Sequence, residues 1–223
     1  TGLSINDAHF TLLYSAPYND INPDVAANFE RNIFSVTRQL YYSQAEPNLS
    51  IDMVLFINGL PISTLELKNA WTGQTTYHAK KQYCEDRDPN EPLLQFGRCL
   101  VHFAVDTDEV YMTTRLAGKK TYFLPFNKGH NFGKGNPPNP VGHRTAYLWS
   151  EILTRHSLTN IIEHYAKMVE EKDPKTKKVS RTLYFPRYHQ LEVVRNLLGH
   201  ASANGVGHTY LIQHSAGSGK SNS

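Results

Sequence analysis

Cysteine is nearly absent from this chain, and so are long apolar runs. Cys84 and Cys99 are the only cysteines among 223 residues, and their spacing is not that of a metal site. So few cysteines cannot supply a disulfide framework, which indicates a reducing compartment. No apolar run approaches the roughly 20 residues of a membrane span, and no signal peptide opens the chain. The sequence therefore predicts a cytoplasmic protein without a membrane partner.

An excess of charge of either sign is also missing. The chain has 23 Lys and Arg residues against 20 Asp and Glu residues, and 11 His that add little charge at neutral pH. This balance does not require a nucleic-acid partner, although a local basic patch is enough to bind one. The length suffices for one well-buried core and the beginning of a second. Because the sequence begins at Thr1 without Met and stops at Ser223 inside a motif, we expect a piece of a longer protein.

What the chain does have is a strong hairpin signal in residues 50–69, SIDMVLFINGLPISTLELKN. Two apolar runs flank Asn58-Gly59, a dipeptide typical of the tight turn between antiparallel strands. In the second run Glu66 and Lys68 share one face, because strand side chains alternate. A carboxylate and an ammonium on a strand otherwise suited to burial need a partner or a metal.

The geometry of the turn decides whether Asp52, on the first run, meets Glu66. A two-residue turn sets Asp52 opposite Leu65 and points the acid away from Glu66. A three-residue turn, whose Gly59 is left-handed, sets Asp52 opposite Thr64. Glu66 then becomes a diagonal neighbour of the acid on the same face. We predict the second turn.

Two carboxylates so placed can share a hard divalent cation, with Lys68 beside it. Asp52 followed by Glu66-x-Lys68 on a neighbouring strand resembles the core of the PD-(D/E)xK nucleases. The resemblance implies that the acids hold Mg²⁺, which polarises a scissile phosphate and lowers the pKa of a bound water. It implies that the lysine orients this water or stabilises the developing negative charge. A solvated salt bridge on an edge strand is the alternative that these residues alone leave open.

The periodicity of apolar residues predicts further elements around this hairpin. The predicted strands are 32–42, 100–105, 110–116 and 121–126, and the predicted helices are 22–30, 72–86 and 147–171. Together they predict an α/β domain with a central mixed sheet flanked by helices.

A loop rich in Gly, Pro and Asn, FNKGHNFGKGNPPNPVG, covers residues 126–142 and is longer than most connections. Lys128 and Lys134 within it and Arg144 just beyond it are basic. We predict these three side chains as contacts for a DNA backbone, which is bound mainly through its phosphates. A solvated surface loop is the alternative that explains the same charges.

The character of the chain changes after residues 173–180, DPKTKKVS, which we predict as a linker that follows a domain at 1–172. Beyond it, an amphipathic helix is predicted to end at Gly199, and residues 208–213 are predicted to form a buried strand. A Gly-rich segment with Lys and Ser follows, in the order typical of a phosphate-binding loop. Its candidate ATP-binding residues are Gly217, Ser218, Gly219, Lys220 and Ser221.

The strict phosphate-loop pattern fails, because its first glycine would fall at His214. The local form, Ala-Gly-Ser-Gly-Lys-Ser, resembles instead that of superfamily 2 helicases and translocases. Arg187-x-x-Gln190 upstream resembles their adenine-reading Gln motif. These similarities imply that residues 181–223 are the truncated start of a RecA-like motor domain, and a flexible Gly/Ser tail is the alternative.

A nuclease-like domain followed by the start of a superfamily 2 motor resembles the restriction (R) subunit of type I restriction–modification enzymes. The likeness covers nearly the whole chain and includes VDTDEVYMTTRLAGKKTYFLPFNKGHNFGKGNPP and RTAYLW. It implies that Asp52 and Glu66 are metal ligands and Lys68 is the catalytic lysine. Ile51 replaces the proline of the nuclease signature. The family's Gln-x-x-x-Tyr is incomplete, since our candidate Gln82 is followed at +4 by Asp86.

The resemblance implies an enzyme that translocates duplex DNA with ATP and cuts its backbone, with Mg²⁺, away from the recognition sequence. Separate modification and specificity subunits would methylate and recognise the DNA. Two alternatives stay open: a non-catalytic domain that docks a helicase onto its partners, and an ATP-dependent helicase with no nuclease. Because residues 181–223 contain only the first motor motif, we expect this piece neither to bind ATP nor to cleave DNA without the remaining parts of the complex.

Overall fold

The computed structural model describes residues 2–19, 21–131 and 133–213. Within these residues the chain folds around a six-stranded sheet whose strands follow one another in chain order. All neighbouring strands of the sheet are antiparallel except one parallel pair. The parallel pair requires a crossover connection, and a helix supplies it. The prediction of an α/β domain with a central mixed sheet is therefore confirmed.

The helices and strands follow one another along the chain. They are β1 (Gly2–Ile5), β2 (Ala8–Thr11), α1 (Pro23–Glu30), β3 (Phe34–Tyr41), β4 (Ser50–Ile57), β5 (Leu60–Leu67), α2 (Thr76–Glu85), β6 (Val101–Val105), β7 (Val110–Thr113), β8 (Leu124–Pro125), α3 (Arg155–His164), β9 (Lys167–Lys172), β10 (Val179–Tyr184) and α4 (Tyr188–Asn204). The sheet contains β3 to β8, and α2 connects its parallel strands β5 and β6. In the part of the chain described, none of these helices has the length and apolar character needed to cross a bilayer.

The turn between β4 and β5 has two residues, so the predicted three-residue turn is wrong. Asn58 and Gly59 have positive φ angles of 50° and 81°, and Ile57 pairs with Leu60. Two left-handed residues make the turn that matches the twist of the flanking strands. The side-chain oxygen of Asn58 accepts a hydrogen bond from the backbone N–H of Ile33 at 2.7 Å, which ties the turn to the segment before β3. The predicted positive φ of Gly59 is confirmed.

A bulge in β5 nevertheless brings the two acids to one face of the sheet. Leu55 pairs with Ser63, where the register of the turn alone would pair it with Ile62. This extra residue on β5 shifts every later pair by one. Continuing the shifted register places Asp52 opposite Glu66. The shared face of these two acids is therefore as predicted, but a bulge produces it rather than a longer turn.

Two apolar clusters cover the two faces of the sheet. The larger joins Leu65 and Phe103 of the sheet to Ile161 of α3 and Leu191 of α4. The smaller lies between the sheet and α2 and includes the fully buried Tyr83. Because β5 and β6 are central and buried on both faces, polar side chains on these strands must find partners within the protein.

The single helix predicted over 147–171 is wrong. A wide helical turn at Leu148–Ile152 precedes α3, and the chain then turns into β9, which pairs with β10. The break before α3 has a local cause, since the hydroxyl of Thr154 accepts a hydrogen bond from the backbone N–H of Ser157 at 3.4 Å and caps the helix. Residues 173–178 form the turn of the β9–β10 hairpin. The domain division 1–172, 173–180 and 181–223 stays a prediction.

Two predictions for the C-terminal part are also wrong. Helix α4 continues past Gly199 to Asn204 and ends before Gly205, whose φ is 75°. Residues 208–213 are exposed and form no strand, although a buried strand is predicted there. A strand needs a neighbour to satisfy its backbone groups, and no strand of the described residues lies beside this segment.

Exchange of Gly59 for Ala tests the turn. We expect Gly59→Ala to lower the free energy of unfolding by about 1 kcal/mol, because Ala is strained at positive φ. Gly199→Ala is the matched control. It lies inside α4 with open space around it, so the same added methyl should stabilise by up to about 1 kcal/mol. Denaturant unfolding of both variants measures this, and a destabilised Gly199→Ala together with a neutral Gly59→Ala would contradict both assignments.

Candidate active site

Asp52, Glu66 and Lys68 converge where β4 begins and β5 ends. Nζ of Lys68 lies 3.9 Å from Oδ2 of Asp52. The backbone N–H of Leu67 donates a hydrogen bond to the same oxygen at 2.8 Å. The structure thus brings the three predicted site residues together on the face of the sheet that carries α2.

Glu66 is fully buried, and a cation that the sequence alone does not predict holds it in place. Nε and Nη2 of Arg87 each lie 2.8 Å from Oε1 of Glu66. Nη2 also donates to the backbone carbonyl of Ser50 at 2.8 Å, and the guanidinium carbon lies 5.8 Å from the centre of the Tyr42 ring. Arg87, two residues beyond α2, is therefore fixed by a carboxylate, a carbonyl and an aromatic face.

The second carboxylate oxygen of Glu66 accepts no hydrogen bond from the described residues, and the neighbouring carboxyl group of Asp52 interacts with Glu66. Oε2 is buried and accepts no hydrogen bond. Burial raises the pKa of Glu66 to about 8, while the Arg87 guanidinium opposes this rise and the charge of Asp52 adds to it. A buried polar atom without a hydrogen bond is costly and marks a place for an additional partner.

The neighbouring strand β3 orients Asp52. Nε2 of Gln39 donates to Oδ1 of Asp52 at 3.1 Å, and Oγ of Ser50 donates to Oε1 of Gln39 at 2.9 Å. The φ of Gln39 is 49°, which is uncommon for a residue other than glycine. Such a conformation costs on the order of 1–3 kcal/mol and persists only where the surroundings enforce it. The strained backbone of Gln39 therefore lies beside a candidate ligand.

A buried polar network lies next to the carboxylates on the same face. Oγ1 of Thr64 is 2.7 Å from the hydroxyl of Tyr83 and 2.7 Å from Nδ1 of His102. Burial lowers the pKa of His102 to about 4 and raises the pKa of Tyr83 well above its usual value. Both rings are therefore neutral near pH 7, and they join α2 and β6 to the strand that carries Glu66.

The low pKa of His102 predicts a loss of stability in acid. An unfolded histidine has a pKa near 6.5. Between pH 6.5 and 4 the unfolded state therefore binds more protons than the folded state, and the free energy of unfolding falls as the pH is lowered. The expected loss from this residue is up to about 3 kcal/mol. In His102→Asn, which keeps a polar side chain, the loss between pH 7 and 4.5 should be smaller. Denaturant unfolding at both pH values tests this, and an equal loss in the two proteins would contradict it.

The sequence alone predicts neither Arg87 nor Gln39 as part of the site. A buried carboxylate needs a cation, so an arginine just beyond the predicted helix 72–86 is an available signal for Arg87. No comparable signal marks Gln39. Its left-handed backbone depends on how β3 pairs with β4, which the sequence does not specify.

Gln82, the candidate glutamine of the family motif, lies on α2 and is half-buried. Its neighbour Tyr83 is the α2 residue that reaches Thr64 on β5. Asp86, which replaces the tyrosine of the motif, follows the last residue of α2 and caps its end. A catalytic role for Gln82 stays a prediction.

Two of the three predicted DNA contacts are paired with acids. Nζ of Lys128 lies 2.7 Å from Oε1 of Glu151, and Nε of Arg144 lies 3.3 Å from Oδ1 of Asp108. Lys134 is exposed, and no acid of the described residues forms an ion pair with it. Exposed ion pairs are weak, so phosphates could compete for these cations. Their contact with DNA stays a prediction.

The basic loop ends at the same edge of the sheet as Lys68. The backbone N–H of Lys68 donates to the carbonyl of Val105 at 2.8 Å. Asp106, the next residue, accepts from the backbone N–H of Thr76 at 2.7 Å, where α2 begins. Thr145, just after the loop, donates to the carbonyl of Asp106 at 2.7 Å. One edge of the sheet therefore carries the lysine, the start of α2 and the end of the basic loop.

The two predicted adenine-reading residues lie at the start of α4. Oε1 of Gln190 accepts from the backbone N–H of Arg187 at 2.9 Å, which caps the helix. Gln190 also lines a cavity of about 820 Å³ together with Tyr184 and Phe185. The predicted phosphate-binding residues lie outside the described residues: Gly217, Ser218, Gly219, Lys220 and Ser221. Binding of ATP stays a prediction.

The chemistry of the donor set fits a hard cation such as Mg²⁺. Asp52 and Glu66 supply carboxylate oxygens on one face, and Oε2 of Glu66 accepts no hydrogen bond within the described residues. Among those residues no group of three or more His, Cys, Asp or Glu side chains is placed to hold a metal. Two carboxylates suffice for Mg²⁺, which usually keeps water and substrate phosphates as its other ligands.

A mixed sheet that presents two acids and a lysine from neighbouring strands is compatible with a nuclease-like α/β domain. Residues 19–121 match the family model described as Type I restriction enzyme R protein N terminus (HSDR_N). The matched region contains all three predicted nuclease residues and Arg87. The resemblance to the R subunit of type I restriction enzymes is thus confirmed for this region. A search of the curated proteins found no match to the chain.

Proposed function

We propose that this chain provides the Mg²⁺-dependent endonuclease domain of a type I restriction enzyme R subunit, which cleaves the backbone of duplex DNA. The observation that supports this most directly is the convergence of Asp52, Glu66 and Lys68, in which one buried oxygen of Glu66 accepts no hydrogen bond from the described residues and Asp52 lies next to Glu66. The family match at 19–121 supports the same interpretation.

In this proposal Asp52 and Glu66 hold the cation, and the lysine acts on the reacting phosphate. When bound, Mg²⁺ supplies a Lewis acid and a water of lowered pKa. The Lys68 ammonium, 3.9 Å from Asp52 and largely buried, stabilises the negative charge that develops on the phosphate oxygens or orients the attacking water. Burial makes such a charge more effective than it would be in water.

Duplex DNA would approach along the edge of the sheet that carries Lys68 and the end of the basic loop. Lys128, Lys134 and Arg144 are our proposed contacts for its phosphates, and such contacts are independent of sequence. We expect sequence recognition and methylation to belong to separate specificity and modification subunits. ATP-driven translocation would belong to a motor that includes Arg187, Gln190 and Lys220, and we propose a cytoplasmic location for the assembly.

Calorimetric titration of the 223-residue chain with Mg²⁺ tests the metal site directly. We expect the wild-type chain to bind a cation, and Asp52→Asn or Glu66→Gln to lose the binding, because each replaces a carboxylate ligand with an amide. Glu85→Gln is the matched control, since Glu85 is an exposed carboxylate on α2. A wild-type chain that does not bind Mg²⁺ or Mn²⁺ would count against the proposal, as would equal binding by Glu66→Gln.

A further inference from the structure

Resting on the proposed function, we propose that Arg87 and Gln39 are positioning residues that set the two candidate ligands for a single cation. Arg87 would hold Glu66 by one oxygen and leave the other to the metal. Gln39 would hold Asp52 from the adjacent strand. Neither residue contacts the reacting phosphate in this proposal.

The contacts of Glu66 are divided unequally between its two oxygens. Both nitrogens of Arg87 that contact Glu66 lie at 2.8 Å from Oε1, whereas Oε2 accepts no hydrogen bond from Arg87 or from any other described residue. A free guanidinium usually binds both oxygens of a carboxylate side by side. Here the carbonyl of Ser50, which accepts from Nη2 at 2.8 Å, holds the guanidinium so that it contacts only one oxygen. The geometry therefore presents Oε2 as a one-oxygen ligand.

Gln39 positions Asp52 in the same way as Arg87 positions Glu66. Its amide is fixed in orientation, because Oε1 accepts from Oγ of Ser50 at 2.9 Å while Nε2 donates to Oδ1 of Asp52 at 3.1 Å. Its left-handed backbone, with φ of 49°, is the conformation in which β3 presents this amide to the acid. Ser50 thus connects the two positioning residues, through its carbonyl to Arg87 and through its hydroxyl to Gln39.

A charge-only role for Arg87 makes a different prediction from a positioning role. If Arg87 merely neutralises Glu66, then Arg87→Lys keeps the charge and should bind metal as the wild type does. If Arg87 positions Glu66, lysine fails, because one ammonium cannot contact both Oε1 and the Ser50 carbonyl in the same fork geometry. Loss of a residue that orients a metal ligand typically weakens metal binding by about 10- to 100-fold.

The test measures the dissociation constant of Mn²⁺ for the 223-residue chain by calorimetry and by electron paramagnetic resonance. We expect Arg87→Lys to weaken binding by about 10- to 100-fold. Gln39→Gly is the second variant, since glycine accepts positive φ and keeps the fold while the amide is lost. We expect it to weaken binding by about 10-fold. Circular dichroism and the unfolding midpoint show whether each variant is folded.

The outcomes separate this inference from the proposed function. A wild-type chain that binds no Mn²⁺ overturns the metal site itself, and the inference with it. Wild-type binding with unchanged affinity in folded Arg87→Lys and Gln39→Gly keeps the metal site and overturns the positioning roles. If Arg87→Lys is unfolded, Gln39→Gly decides the question alone. Arg98→Lys, which changes an exposed arginine in the same way, should bind as the wild type does.

Discussion

Alanine at Asp52, Glu66 or Lys68, in an R subunit assembled with its modification and specificity subunits, is expected to abolish DNA cleavage. The lost acids would remove ligands of the cation, and the lost lysine would remove the positive charge beside Asp52. Removal of one preorganised electrostatic contact costs about 10²- to 10³-fold in rate, and loss of the metal should cost more. ATP hydrolysis should stay near the wild-type rate, since the proposed motor residues lie elsewhere in the chain. Gel assays of supercoiled DNA and a phosphate-release assay measure the two activities.

Glu85→Ala serves as the control for the cleavage experiment, because Glu85 is an exposed acid on the helix that packs beside the site. It should cleave and hydrolyse ATP normally. Residual cleavage at the wild-type rate in Glu66→Ala would show that the nuclease site lies elsewhere. Loss of ATP hydrolysis in all three folded variants would mean that the residues support the assembly rather than the cutting reaction.

The sequence predicts the hairpin and the shared face of its acids, but it does not predict the bulge that sets the register between the two strands. Asn58-Gly59 predicts a turn because both residues tolerate positive φ, and the structure has both in that conformation. The bulge that brings Asp52 opposite Glu66 has no local sequence signal, because it depends on how β5 packs between two strands. Alternation along one strand is a local property, whereas register between strands is not.

The partners of the acids illustrate the same limit. Arg87 lies 21 residues after Glu66, and only the packing of α2 against β5 brings them within 2.8 Å. The burial of Glu66 makes such a cation necessary, so the need for a partner could be predicted but not its identity. Errors at the C-terminal end have a different origin. Thr154 caps the start of a short helix, and a hairpin follows that helix. Apolar spacing alone cannot distinguish this arrangement from one long helix.

Exchange of Glu66 for Gln is expected to stabilise the protein at alkaline pH and to remove its response to Mg²⁺. Burial raises the pKa of Glu66 to about 8 from an ordinary 4.5. Between these values the folded state binds one proton more than the unfolded state, so the free energy of unfolding falls as the pH rises. The protein therefore has its full stability from this residue below pH 4.5, and it loses that contribution as the pH rises through 8. From pH 5.5 to 8 this loss is on the order of 3 kcal/mol in the wild type.

The Glu66→Gln variant lacks this pH dependence, because an amide does not titrate and still offers its carbonyl oxygen to Arg87. Its unfolding midpoint should therefore fall less than that of the wild type between about pH 5.5 and 8.5. At the higher pH, saturating Mg²⁺ should stabilise the wild type by about 2.7 kcal/mol at 100 times the dissociation constant, and leave Glu66→Gln unchanged. Scanning calorimetry at the two pH values, with and without Mg²⁺, measures both effects. Parallel pH profiles would show that Glu66 is ionised at neutral pH through its pairing with Arg87, and a Mg²⁺ response in the variant would place the cation elsewhere.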